Sequence, residues 1–340
     1  MITINKTIIS DIALYAVLSA AVTLSATACI KEYPDEEQAV DPTEIELTVN
    51  LSTDPSVTAA SAVSKSETST GYAYFVIELY KDEFGGDSVF RKELCAPVDD
   101  NGSASITFTE KMHAGSYRLA AFAARTENED GSGCAYDISD LSNIVFPENG
   151  NAGSNPMKEC YDIRMDIDLP HNRWFGTDSV SGVLTSPVGR VEVISEDAPE
   201  FIDDNDLKAK AAEDDFWQNY EVRWDYAMYF PTGYNAITGL PNKAETDIGF
   251  VSDLTPLEDN EVLMGYDYVF VNGDNTEVSI TLSVYDRTTG ECLNTYSGLN
   301  AGIYKGQTTV IRGKYLTTEK KPGVNIDTDF DGDINIDLNL

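Results

Sequence analysis

The residue with the clearest chemical assignment is Cys29, placed directly after Ala26-Thr27-Ala28. Residues 8–24 before it are mostly apolar, Lys6 precedes them, and small residues close the run, which is the layout of an export signal. A cysteine at that junction offers its thiol for attachment of a diacylglyceryl group through a thioether, with the chain cut before Cys29. Ala-x-Ala also suits the ordinary signal peptidase, which cuts the same bond and leaves a free thiol. Lipidation is the preferred reading, because an exposed lone thiol at a new N-terminus is reactive. The apolar run falls near the lower limit for a span of about 20 residues and carries Asp11, so a membrane-crossing anchor is the weaker reading.

A second group with spacing suited to chemistry lies near the C-terminus. Asp327, Asp329, Asp331, Asp333 and Asn335, with Gly332 among them, follow the order of a Ca²⁺ loop. The closing bidentate glutamate is replaced by Leu338, and an Asp-Gly hairpin turn explains the same residues without metal. No cofactor is therefore expected, with calcium as the alternative. His113 and His171 are the two histidines, and both sit beside turn residues, where a solvated role outweighs that of a general base. No Gly-x-Ser-x-Gly, His-Glu-x-x-His or P-loop pattern occurs, so an enzyme is not expected.

The chain has 340 residues, with 58 acidic against 23 basic, a formal charge of −35. Such a surface repels nucleic acid and anionic lipid headgroups and favours solubility. Beyond Cys29 there are Cys95, Cys134, Cys160 and Cys292, which permit two disulfides or four reduced thiols.

The elements are mainly strands. Ile45, Leu47, Val49 and Leu51 alternate with Glu46, Thr48 and Asn50, the pattern of a half-buried strand. Residues 72–80 are apolar on both faces and predict a central strand. Residues 104–109 and 117–124 flank a turn at His113-Ala114-Gly115. Further strands are predicted at 180–184, 189–195, 220–230, 266–272, 278–285 and 307–316, with Asn272-Gly273 and Thr289-Gly290 as turns. One helix is predicted over 203–218, capped by Asp203 or Asp204 and filled by the good formers of 207–212. The pattern predicts an all-β protein of two tandem sandwiches. Residues 1–28 form the signal, 29–43 an acidic tether, 44–170 the first sandwich and 171–340 the second, with one short helix in the latter.

The second half resembles the fimbrillin-like surface lipoproteins of anaerobic Gram-negative bacteria, relatives of major pilins and pilus-anchor subunits. The residues that carry this are Val180-Ser181-Gly182-Val183-Leu184, Tyr229-Phe230-Pro231-Thr232-Gly233-Tyr234, Asp267-Tyr268-Val269-Phe270-Val271-Asn272-Gly273, Gly313-Lys314-Tyr315-Leu316-Thr317 and Asp329-Phe330-Asp331-Gly332-Asp333-Ile334. The resemblance implies transthyretin-like sandwiches, display on the outer membrane, and partners among other fimbrial subunits. It also implies maturation by a cut after a basic residue behind the first strand, and then filling of the vacated groove by a C-terminal strand of another subunit. No arginine precedes Arg91, and Lys65 is the basic residue in that loop. That departure favours a subunit that keeps its lipid at Cys29, an anchor or accessory protein.

Ile334, Ile336, Leu338 and Leu340 alternate with polar residues, as a donor strand or a strand closing its own sandwich would. Periodicity leaves both open. The alternative function is a surface adhesin binding a glycan or a host protein without polymerising, through loops around Trp174 and Tyr234.

Overall fold

The computed structural model describes residues 43–54, 71–82, 84, 86–146, 152–171, 175–205, 207, 211, 215–319 and 334–336. Cys29, Lys65, Trp174, Leu338, Leu340, Asp327, Asp329, Asp331 and Asp333 lie outside the described residues.

The fold is all-β, built as sheets stacked face to face. The outermost sheet of the first half has the order β4-β1-β8, where β1 is Glu44–Thr53, β4 Ser105–His113 and β8 Phe175–Leu184. Behind it lies β3-β2-β5-β7, with β2 Tyr72–Lys81, β3 Phe90–Pro97, β5 Gly115–Thr126 and β7 Cys160–Leu169. A short β6 spans Ile144–Val145. Ile45, Leu47, Val49, Leu51, Ile106 and Phe108 from the first sheet meet Phe75, Ile77, Leu79, Leu119 and Ala121 from the second in one core. β8 lies after the 170/171 boundary expected from the sequence, yet it pairs in parallel along the whole of β1.

The second half repeats the two-layer plan. One sheet runs β14-β15-β9-β18-β19 and its partner β13-β10-β16-β17, with β12-β11-β6 as a flanking sheet. The strands are β9 Val188–Ser195, β10 Tyr220–Tyr226, β11 Phe230–Asn235, β12 Leu240–Glu245, β13 Gly249–Asp253, β14 Thr255–Pro256, β15 Val262–Phe270, β16 Thr276–Asp286, β17 Cys292–Ile303, β18 Thr308–Gly313 and β19 Ile334–Ile336. Val191, Val193, Met264, Val269 and Ile311 pack against Val222, Trp224, Ile280, Leu282 and Leu299.

The two middle sheets are buried on both faces. Side chains alternate in direction along a strand. Val76, Ala120 and Phe122 therefore point away from the first core and meet Val188, Ile194, Tyr268 and Phe270, which point away from the second. β15 and β9 are accordingly buried at every position, as the continuous apolar runs of a doubly covered strand require.

Two elements differ from the sequence reading. The stretch 220–230 is two strands, because residues 227–229 turn the chain between β10 and β11. Helix α1 covers Ala198–Asp204, starting after Asp197 with Pro199 in its first turn, so Asp203 lies inside the helix rather than capping it. Proline fits the first turn because the amide it lacks has no partner there. A 3₁₀ turn, Phe216–Asn219, follows. The predicted turns hold: Gly273 and Gly290 both have φ of 72°, the left-handed conformation glycine adopts without strain. Of the two cysteine readings, the structure carries free thiols at Cys95, Cys134, Cys160 and Cys292.

Candidate functional site

β19 sits at the edge of its sheet. It runs antiparallel to β18, pairing Thr309 with Ile336, Val310 with Asn335 and Ile311 with Ile334. On its other side β18 is held in parallel by β9, from Thr308↔Arg190 to Gly313↔Ser195. Thr308, Thr309 and Ile311 are fully buried, so the receiving strand is anchored in the core while the added strand is short. This placement brings Ile334, Ile336 and Asn335 onto their own chain's ladder, the closing reading of the tail.

β1 occupies the opposite kind of position. Its register with β4 runs from Glu44↔His113 to Ser52↔Ser105, and β8 covers its other edge. Ile45, Leu47, Val49 and Leu51 are at most 2 % exposed. Burying a large aliphatic side chain is worth about 1.5–3 kcal/mol, so these four contribute roughly 6–12 kcal/mol as an upper bound. Loss of β1 would open a long groove between β4 and β8 that the sandwich cannot leave empty.

A cleft of about 530 Å³ opens beside α1. Trp217, Ile202 and Pro256 form its apolar walls, and Asp203, Asp259, Asn260 and Glu261 its polar rim. Trp217 is braced by Phe201 at 6.0 Å and Phe216 at 4.9 Å between ring centroids. Arg312 pairs with Glu261 at the rim. The size falls within the usual range for small ligands. Trp217 is one of three tryptophans whose rings could stack on a sugar, but it sits in a stretch whose pattern reads as helix, so the cleft itself was not legible. Tyr234 is fully buried: its hydroxyl donates to Asp162 at 2.6 Å, and its ring stacks on Phe270 at 4.9 Å. It belongs to the core and presents no surface to a sugar, which corrects its expected role. Trp224 is likewise core, its Nε1–H donating to the Met264 carbonyl at 3.0 Å.

Three buried ion pairs lie where the halves meet. Arg125 pairs with Glu159 at 3.0 Å and Arg190 with Glu192 at 2.7 Å, and Lys158 pairs with Asp267. The sequence reading singled out none of these as a site. Their one cue was charge inside apolar runs, as at Tyr266-Asp267-Tyr268. Among the described residues no group of three or more His, Cys, Asp or Glu side chains could hold a metal ion. No helix among them is long and apolar enough to cross a membrane. His113 and His171 are exposed.

These features define an all-β protein of stacked sandwiches with a short C-terminal edge strand. The chain belongs to a family of unknown function, DUF6562, whose model matches residues 36–339. No curated protein shows significant sequence similarity to it. Among solved structures it is similar to a putative adhesin from Bacteroides ovatus, at 11% identity and a TM-score of 0.41, covering 83% of this chain and 93% of that one. It is also similar to the fimbrial anchor protein Mfa2 from Porphyromonas gingivalis, at 10% identity and a TM-score of 0.39, covering 79% and 90%. The tip fimbrial protein Mfa3 from the same organism, with a C-terminal truncation, matches at 11% identity and a TM-score of 0.39, covering 86% and 98%.

Proposed function

We propose that this chain is a structural protein of the cell surface, held to the outer membrane by lipid on Cys29. It serves as a fimbrial anchor or accessory subunit and joins other subunits by strand complementation. The observation that carries the reading is the C-terminal strand: three residues of added ladder on an acceptor strand whose paired residues, Thr309, Val310 and Ile311, are buried. A strand so placed can leave its own sheet and enter another while the rest of the molecule stays folded. The edge it vacates on β18 would then be open to a strand from a neighbour. The fully embedded β1, together with Lys65 as the basic residue in the loop behind it, fits a subunit that retains its first strand and its lipid.

The reading assigns no catalytic step and needs no cofactor. Nucleic acid is not among its partners. The test is a chain truncated after Glu319, mixed with a peptide of residues 330–340. Binding of the peptide, with protection of β18 amides from exchange, supports complementation; absence of binding removes it. The mass of the N-terminal peptide from surface-isolated protein tests the anchor separately. A diacylated Cys29 supports it, whereas a chain beginning at Ser66 indicates a processed shaft subunit.

The second reading, an adhesin for a glycan or host protein, draws on the cleft at Trp217. An aromatic wall beside carboxylate and amide acceptors is the chemistry that holds a sugar ring and its hydroxyls. It predicts monomers whose glycan binding is lost in Trp217→Ala.

A further inference from the structure

We propose that Nζ of Lys158 and Cγ of Asp267 become joined as an intramolecular isopeptide bond, stapling the first half of the molecule to the second. Lys158 closes a 3₁₀ turn, Pro156–Lys158, immediately ahead of β7. Asp267 lies in the middle of β15, on the face it shares with Val269. The two are 109 residues apart in sequence and in direct contact in space.

The surroundings are those an amide condensation needs. Lys158 is 1 % exposed and Asp267 fully buried, so bulk water is kept from the pair. The ammonium lies over the rings of Phe146, at 4.7 Å, and Phe230, at 5.7 Å. Desolvation in this apolar setting lowers the lysine pKa from its ordinary value, which favours the neutral, nucleophilic amine. The carboxylate is aligned by two fixed donors: the Tyr226 hydroxyl to Oδ2 at 2.9 Å and the Tyr268 backbone N–H to Oδ1 at 2.8 Å. Burial and the adjacent carboxylate raise the Tyr226 pKa well above its usual value, so that hydroxyl stays a donor.

The step balances without an oxidant or co-reactant. A proton passes from the ammonium to the carboxylate within the pair. The amine lone pair then attacks Cγ, and the Oδ2 oxyanion that develops is held by Tyr226. The Cγ–Oδ1 bond breaks, and Oδ1 departs as water carrying two of the three ammonium protons. One N–H remains on the new amide.

The neighbouring pairs sharpen the assignment. Arg125–Glu159 and Arg190–Glu192 are equally buried, but a guanidinium keeps its proton and offers no amine. Their arginine pKa values move up while that of Lys158 moves down. An uncondensed buried pair gains little over apolar packing. A covalent link instead ties β15 to the entry of β7 and prevents tension on the chain from separating the halves.

The test is peptide mapping of the purified, denatured full chain after trypsin digestion. The expected product is a branched peptide containing Lys158 and Asp267, one water lighter than its two arms, with no cleavage after Lys158. Two separate linear peptides, with cleavage after Lys158, would overturn the proposal. Tyr226→Phe keeps the ring and removes only the donor. The branched peptide should be lost or strongly reduced in a variant whose circular dichroism is unchanged, and an undiminished yield would overturn the role given to Tyr226.

Discussion

The first and last strands of the described molecule are opposites. β1 is ten residues long, paired on both edges, and supplies four fully buried aliphatic side chains to its core. β19 is three residues long and paired on one edge. The difference shows where a β-sandwich can exchange strands without unfolding. A central strand leaves only at the cost of the core it builds, whereas an edge strand leaves at the cost of a few hydrogen bonds. On the proposed reading, retention at the first strand and exchange at the last would both follow from sheet position.

The largest effect that could break this comparison is in β1. Leu47→Asp places an unpaired carboxylate in the first core and should cost about 4 kcal/mol or more, read by urea denaturation. A loss below about 1 kcal/mol would mean that β1 is not the fixed element. Removing residues 320–340 should be far milder, about 1–2 kcal/mol in the same measurement, with the β-sheet spectrum retained. Equal losses from the two changes would erase the distinction.

A pH titration sharpens it further. Tyr136, Tyr161, Tyr226 and Tyr268, where the halves meet, all have pKa values raised by burial, and the more open Tyr74 is pushed up to about 12. In the unfolded chain a tyrosine ionises near pH 10. Between that value and the raised folded values the native state holds more protons. Stability is therefore full below about pH 10 and falls as pH rises above it. Tyrosinate absorbance should accordingly appear together with unfolding, not ahead of it. The smallest expected effect concerns the Asp-rich run before β19. Tm should be unchanged by a chelator, and a fall would assign Ca²⁺ to Asp327, Asp329, Asp331, Asp333 and Asn335.

The strand character of the chain was legible because β1 carries clean alternation, β2 is a short run apolar on both faces, and the turns at Gly273 and Gly290 carry their own chemistry. β12 and β13 were not legible, since Leu240–Glu245 is mostly exposed, Gly249–Asp253 has a single buried position, and neither shows clear alternation. The helix was misplaced because residues 207–212 have the strongest helical propensity nearby, while Pro199 and the packing of Phe201 set the start of α1. The buried pairs were hidden for a different reason. In a chain this acidic, Asp267 and Glu192 look like surface carboxylates; Glu192 loses its water on the face of β9 where the two middle sheets stack, and Asp267 on the other face of β15, toward the second core. Lys158, beside turn-forming Asn155 and Pro156, gave no sign of burial at all.

The most direct test of the comparison uses the register of the tail itself. Thr309→Cys and Ile336→Cys, carried on two differently tagged populations of the chain, place a thiol on each side of the β18–β19 ladder. On mixing and mild oxidation, the account predicts a disulfide between the two tags, formed through cysteine 309 of one chain and cysteine 336 of the other. If no such cross-chain product forms while the doubly substituted single chain closes readily on itself, the tail is a permanent part of its own sandwich and strand exchange is contradicted.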